Sequence, residues 1–380
     1  MGNSALHKGL KSTEKGKKIE MIYLIFRIIG FWLMKNLGFP HLMPMNYTVS
    51  LLYTCNSRCN TCNIWKKQAK NLTLDEYQKI FKNIGKSPYW ITFSGGEPFL
   101  RNDIVDVVTA IYKISHPRII NIPTNGILVQ TIIEKTDAIA SACPKAQIIV
   151  NISIDGIEEQ HDKIRNVPGN YKKAIATFNG LKALKHKNLS VGIHTVISKF
   201  NVDSFPSIAN ELMRLKPDSY ITEIAEERAE LDTIGTDIAP SLVAYKSAID
   251  YLIHRIKNSK FKGMSKVTMA FRIEYYNLVK RIMRDKRQII PCYSGVASCQ
   301  ISPDGDIWSC CIKAKSLGNL RKNNYNFRKI WFSPLAEMER RSIHKKKCWC
   351  PLANAAYTNM LLHLPTLFRV SWRSFIHWWS

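Results

Sequence analysis

Three cysteines at CxxxCxxC spacing, Cys55, Cys59 and Cys62, stand directly after a strand-like run, with no fourth cysteine beside them. Three thiolates hold three corners of a four-iron cluster and leave the fourth iron open. A cluster that only carries electrons normally has four cysteine ligands, whereas an open iron can bind a small molecule and do chemistry on it. The spacing by itself also allows a zinc knuckle short of one ligand, or a chance cluster of thiols. Downstream, Ser94-Gly95-Gly96-Glu97-Pro98 follows the strand-like run 89–93. Two glycines that permit close backbone approach, and one carboxylate, therefore sit at a strand's C-terminal end.

The rest of the chain must position these groups. It has 380 residues, 46% of them hydrophobic, enough for a large core with one barrel-sized domain and a smaller one. This composition excludes a disordered or fibrous chain. Ten cysteines without a cleavable signal peptide point to a reducing compartment, the cytoplasm, and to metal ligation over disulfides. Strand-like runs over 47–54, 89–93, 118–123, 147–154, 189–197 and 220–225 alternate with helix-length segments. Such βα units give parallel strands joined by right-handed crossovers, with active sites at the strands' C-terminal ends. The candidate groups fall at those ends: the cysteines after the first strand, Gly95 to Pro98 after the second, Thr124-Asn125-Gly126 after the third, Asp155-Gly156 after the fourth. An open doubly wound sheet fits the same spacing.

Together, the three cysteines and the Gly95 to Pro98 turn resemble the radical S-adenosylmethionine (radical SAM) superfamily. The resemblance implies an α/β fold, a partial (β/α)6 TIM-like barrel, with a 4Fe-4S cluster on Cys55, Cys59 and Cys62. It implies that the open iron takes the amino and carboxylate groups of S-adenosylmethionine. Gly95, Gly96, Glu97 and Pro98 would line the methionine amino group. Asn125, Ser153 and Asp155, in motifs similar to those of the family's third and fourth strands, would lie near the ribose or carboxylate. As bare sequence, NG and DG are turn signals, and that reading of Asn125 and Asp155 stays open. His161-Asp162-Lys163-Ile164-Arg165-Asn166, followed by Gly169, resembles the HDxxRG segment of members with an extra cluster domain, with Asn166 in place of the glycine. Thr61 replaces the aromatic residue usual before the third cysteine, a change that would alter packing over the adenine without abolishing the cluster. The implied first step is reductive cleavage of S-adenosylmethionine to methionine and a 5′-deoxyadenosyl radical that takes hydrogen from a substrate. A ferredoxin or flavodoxin is the expected reductant. Glu223 or Arg228, in the charged run after the sixth strand, could meet cofactor or substrate, or simply begin a helix. No residue is assigned as catalytic acid or base.

The C-terminal third holds Cys292, Cys299, Cys310, Cys311, Cys348 and Cys350. Cys292, then Ile301 to Cys310 around Pro303-Asp304-Gly305, reads as a ligand, a strand, a turn and a strand ending in a ligand. A hairpin there would bring Cys292 and Cys310 together. With Gly318-Asn319-Leu320 and Ile330-Trp331, the segment resembles the SPASM or shorter twitch extension of radical SAM enzymes. That implies an auxiliary 4Fe-4S cluster, with Cys292, Cys310, Cys348 and Cys350 as expected ligands. No thiol follows Cys350, so one auxiliary cluster is expected and not two. Cys299 and Cys311 are spare thiols of a small core, substitutes for one of the four, or parts of an incomplete second site. Cys143 reads as a packed thiol. The expected borders are 1–46, 47–270, 271–355 and 356–380.

Both ends differ from this core. Met21 to Met34 form an apolar run containing Arg27, with Lys15, Lys17 and Lys18 before it and Lys35 after it, too short and charged to span a bilayer. Ile22, Ile25, Ile29 and Trp32 share helical spacing, as do Leu361, Leu364, Phe368, Trp372, Phe375 and Trp379, broken by Pro365. No acidic residue occurs from Arg340 to Ser380, and the net charge is +26. Basic, Trp-rich amphipathic segments suit an anionic membrane surface, with docking onto the protein's own barrel as the alternative. Nucleic acid also suits the charge, but the aromatics follow apolar stripes instead of alternating with Lys and Arg. The expected location is the cytoplasm, peripheral on the inner membrane face. The favoured substrate is accordingly a membrane-associated lipid, isoprenoid or lipid-linked glycan. The alternative is a ribosomal peptide, because SPASM and twitch extensions are associated with peptide maturation. Against it, the roughly 46 residues before the first strand are too few for a winged-helix recognition module. A non-catalytic iron–sulfur carrier would leave the open-iron triad without purpose.

Overall fold

The computed structural model describes residues 23–259 and 264–376, and the chain divides into two units, 1–42 and 43–380. In the first unit, helix α1 (23–37) leaves Tyr23, Ile25, Phe26, Ile29 and Trp32 exposed. Lys15, Lys17, Lys18 and Ile22, like Trp379 at the other end, lie outside the described residues.

The second unit is built on one sheet. Strands β1 (Asn46–Leu52), β2 (Trp90–Gly95), β3 (Ile119–Thr124), β4 (Gln147–Ser153), β5 (Leu189–Ile197) and β6 (Ser219–Ile224) pair in parallel, each with the next. They match the runs expected from sequence to within two residues at each end. Helices α2 (Leu74–Ile84), α3 (Ile104–Ser115), α4 (Val129–Ala142), the short α5 (Glu159–Arg165), α6 (Asn170–Ala183) and α7 (Phe205–Arg214) fill the crossovers. β6 does not pair with β1, so the barrel is partial, as expected. Instead the far edge of β1 takes β7 (Ser298–Ile301), followed by the antiparallel β8 (Asp306–Trp308) and β9 (Ser316–Asn319). The C-terminal region thereby extends the barrel's own sheet.

Strand alternation shows how the barrel is filled. Ile91, Phe93, Ile120, Ile122, Ile148, Val150, Ile152 and Ile193 are fully buried in the core. The intervening positions, among them Thr92, Asn121, Ser153, His194 and Glu223, point to the opposite face and are partly accessible. Parallel strands covered on both sides read as near-continuous apolar runs. These do not, because their inner face is polar.

After β6 come α8 (Leu242–Lys257) and α9 (Met264–Asp285), and α9 runs unbroken across residue 270, where the sequence alone suggests a border. α10 (Phe327–Trp331), α11 (Pro334–His344), α12 (Ala353–Leu361) and α13 (Leu364–Ile376) complete the chain, with Pro365 at the start of α13. One buried ion pair ties the C-terminal region to the barrel helices. Glu76, in the capping box of α2, accepts from Arg321 Nε (2.6 Å) and Nη2 (2.8 Å) and from the Tyr325 hydroxyl (3.0 Å). The Arg321 guanidinium pulls its carboxyl down to about 2. Among the described residues, no helix is long and apolar enough to cross a membrane.

Candidate iron–sulfur and S-adenosylmethionine site

The cysteine loop leaves the C-terminal end of β1 and is tied down along its length. Cys62 N–H donates to Cys59 O (3.0 Å), Arg58 N–H to Arg165 O (3.2 Å), Asn60 N–H to Ile164 O (2.9 Å) and Asn63 N–H to Leu231 O (2.9 Å). The Ser57 hydroxyl donates to Arg165 O at 3.1 Å and lies 3.2 Å from Cys59 Sγ, while Ser57 N–H donates to Cys55 Sγ at 3.4 Å. The last turn of α5 is thus a back-plate that fixes where the thiols stand.

Arg165 is clamped in turn. Its Nε is 2.8 Å from Asp155 Oδ2 and its Nη1 donates to Cys59 Sγ at 3.6 Å. The other oxygen of the buried Asp155 accepts from Val196 N–H at 2.8 Å. Burial works to lower the guanidinium's pKa, and Asp155 with the Cys59 thiol more than reverses it. Burial pushes the Cys55 thiol up to about 11 and Cys62 up to about 12, with the adjacent Cys59 adding in both cases. With Cys55 and Cys62 held protonated by burial, the loop is a donor set that calls for a cationic metal centre to draw off their protons. Among the described residues, no three potential ligands converge as a single ion would demand. A cluster makes no such demand, because each thiolate binds a different iron. The arrangement fits the group.

Gly95 and Gly96 close the other side of the loop. A Cβ on Gly95 would stand 2.2 Å from Leu52 O, and one on Gly96 would stand 2.1 Å from Thr54 O. Only glycine lets this turn press against the start of the cysteine loop. The Glu97 carboxylate faces inward, accepting from the Thr124 hydroxyl (2.8 Å), Asn125 N–H (2.8 Å) and Phe99 N–H (3.2 Å). Burial pushes it up to about 7 against those donors. It braces the end of β2 to the end of β3, and buried Pro98 opens the short turn that follows. Asn125 Nδ2 donates to Asn56 Oδ1 (2.7 Å) and lies 3.9 Å from Cys55 Sγ. Ser153 ends β4 on the inner face, in register with His194 of β5. The structure therefore gathers the predicted groups at one edge, with the side chains of Glu97 and Asp155 engaged within the protein.

Sequence reasoning passed over two features. In the sequence Arg165 stands only as one member of a motif, and its reach to Cys59 spans 106 positions that no local pattern connects. His194 was missed altogether. Its Nε2 lies 3.5 Å from Glu223 Oε1, and Glu223 Oε2 lies 3.6 Å from Arg228 Nη2, forming a charged set at the mouth of the inner face. The signal was available as polar residues at alternate positions of strands otherwise built from Ile and Val.

A second thiol group forms in the C-terminal region. Burial pushes Cys310 up to about 11, with Cys292 and Cys348 adding. Cys350 is raised by burial, then by Glu226, Cys292 and Cys310. Electrostatic influence of this kind gathers Cys292, Cys310, Cys348 and Cys350 in one region, and Cys311, raised by burial and then by Glu230, Cys310 and Cys350, lies within it too. Cys299 stands apart, in β7 opposite Tyr47 and buried in the main core. Cys311 packs with Leu352 and Ala355 and borders Cys350. Cys143 is fully buried in the core. The segment after β6 runs between the two thiol groups. Its Leu231 O holds Asn63, while Ala229 N–H and Glu230 N–H donate to Ile312 O (3.0 Å) and Cys311 O (3.2 Å).

A partial parallel barrel with a thiol triad at its mouth and a second thiol group beyond it defines an iron–sulfur enzyme. The radical SAM superfamily profile matches residues 49–212, and that of the SPASM iron–sulfur cluster-binding domain matches residues 292–351. The chain carries a radical SAM domain and a C-terminal SPASM domain, and these imply 4Fe-4S clusters and the binding of S-adenosylmethionine. The mycofactocin maturase of Mycolicibacterium smegmatis is 22% identical over 76% of this chain and 70% of its own length. The antilisterial bacteriocin subtilosin biosynthesis protein AlbA of Bacillus subtilis is 25% identical over 82% of this chain and 66% of its own. Streptococcus suis SuiB, solved with its precursor peptide SuiA, has the same fold at a TM-score of 0.58, with 15% identity over 81% of this chain and 69% of that one.

Proposed function

We propose that this enzyme uses S-adenosylmethionine to modify a peptide. The observation that carries the reading is the match to a maturase and a bacteriocin biosynthesis protein over three quarters or more of the chain. It favours the peptide alternative over the lipid, isoprenoid or glycan substrate expected from the amphipathic termini. In this reading Cys55, Cys59 and Cys62 hold the cluster that binds the cofactor, and Cys292, Cys310, Cys348 and Cys350 hold the auxiliary one. When bound, cluster and cofactor supply a one-electron cleavage that generates a hydrogen-abstracting radical. The Gly95-Gly96 backbone, Asn125 and Ser153 flank the cofactor, while Glu97 and Asp155 act one step removed, bracing the strand ends and Arg165. Glu223 and Arg228 offer opposite charges to a peptide entering the mouth, with the His194 ring beside Glu223. A ferredoxin or flavodoxin in the cytoplasm delivers the electron.

The test is anaerobic reconstitution followed by reaction with reductant, S-adenosylmethionine and a short peptide encoded beside the gene. The expected result is peptide-dependent release of 5′-deoxyadenosine with a change in peptide mass. Stimulation by a lipid extract, with the peptide unaltered, would return the substrate to the lipid class.

A further inference from the structure

We infer that the outward face of α13 is a docking surface for an anionic lipid bilayer, whichever substrate the barrel takes. Leu364, Phe368 and Trp372 recur every fourth residue and are 59%, 76% and 66% exposed. Thr366 and Val370, on the other side, are buried. Charge holds that inner side in place: Arg369 Nε is 2.8 Å from Glu274 Oε2, and Arg373 Nε is 2.9 Å from Glu274 Oε1. Glu274 belongs to α9 and is itself buried. One carboxylate thus grips two successive turns of α13, so the helix is a fixed rib with large apolar side chains turned to water. Single exposed apolar residues are ordinary, but a continuous row marks an interaction surface.

Charge identifies the occupant. From Arg340 to Ser380 the chain has no acidic residue, and Arg341, Lys345, Lys346 and Lys347 are exposed cations within it. An apolar ridge on a chain of net charge +26 complements a leaflet of negative surface potential, and Trp and Phe rings settle at its headgroup level. A second copy of a chain with net charge +26 would instead bring like charges together. Single-stranded nucleic acid would need cations interleaved with the rings, and both arginines of α13 are turned to Glu274. At 13 residues, α13 is far too short to span a bilayer and suits a position in the plane of the interface. By itself, α1 shows the same kind of exposed row in Ile25, Phe26, Ile29 and Trp32.

The test is co-sedimentation of the full-length holoprotein with phosphatidylcholine vesicles, with and without phosphatidylglycerol. Wild type should bind the anionic vesicles, lose binding in high salt and bind pure phosphatidylcholine far less. Phe368→Ser combined with Trp372→Ser should weaken vesicle binding by about tenfold or more. Iron content and cleavage of S-adenosylmethionine without vesicles should be unchanged, and Phe368→Ser alone should give an intermediate loss. Wild-type protein that ignores anionic vesicles, or a folded double variant that binds them as well as wild type, would overturn the inference. So would a wild-type dimer in sedimentation that the double variant abolishes, which would assign the face to a second copy.

Discussion

Cys55, Cys59 and Cys62 come from one short loop, whereas Cys292, Cys310, Cys348 and Cys350 are gathered from three separated segments. The compact group is held by distant partners: the end of α5, the turn after β3 and the segment after β6. The dispersed group lies in the connecting segments before β7, after β8 and after α11. Their electrical surroundings also differ. A buried, Asp155-clamped guanidinium touches the triad, while the quartet has Lys313 on one side and Glu226 on another. A loop that must keep its shape while a small molecule occupies the open iron needs support from outside itself. Four cysteines proposed to enclose a cluster would supply that support themselves.

The sharpest way to break this comparison is to empty each group in turn. Replacing Cys55, Cys59 and Cys62 with alanine should halve the iron content from about eight to about four per chain and abolish the effect of S-adenosylmethionine on the EPR spectrum. Replacing Cys292, Cys310, Cys348 and Cys350 should halve the iron too but leave that effect intact. Wild type with about four irons, all lost in the triad variant, would show that the second group holds no cluster.

The next largest effect concerns the guanidinium. Arg165→Ala leaves buried Asp155 uncompensated and should destabilise the cluster-free protein by about 3–5 kcal/mol in urea unfolding. Adding Asp155→Asn should restore part of the loss, because the two act as a pair.

Glu76 tests the seam between the regions that carry the two groups. Its folded pKa, about 2, lies below the ordinary carboxylate value, so its contribution is present in full above pH 4.5 and is lost as pH falls toward 2. Glu76→Gln should lower stability at neutral pH by about 2 kcal/mol, allowing for partial solvent screening, and flatten the acid limb of the stability profile. A parallel decline in wild type and variant would show that the pair does not hold the seam. Ser57→Ala should have the smallest effect, about 1 kcal/mol, by removing the hydroxyl that bridges Cys59 and Arg165 O. Its check is the same urea experiment beside a serine elsewhere on the surface.

The sequence made the six barrel strands legible because each is a short β-branched or aromatic-rich segment between helix-length stretches, and the thiol spacing lay within a single loop. The pairing of β7 with β1 was not legible, since nothing local to residues 298–301 names a partner some 250 positions earlier. β8 stops at Trp308, short of the strand end expected at Cys310, and the last strand, β9, was not anticipated. Glu97 and Asp155 were read toward the cofactor from their motifs. Their inward use appears only when the donors of β3 and β5 are brought beside them. Spacing left Cys299 open as a spare thiol or a ligand, and it is the strand pairing of Cys299 that sends its thiol into the core.

The shared sheet also bears on how the protein can be cut. Residues 46–49 of β1 are paired to β7, so a fragment ending before Cys292 would uncover a row of backbone donors and acceptors flanked by Tyr47 and Val49. Open edges of that kind recruit strands from neighbouring chains. Trimming the protein to its barrel would yield a seed for aggregation in place of a smaller enzyme.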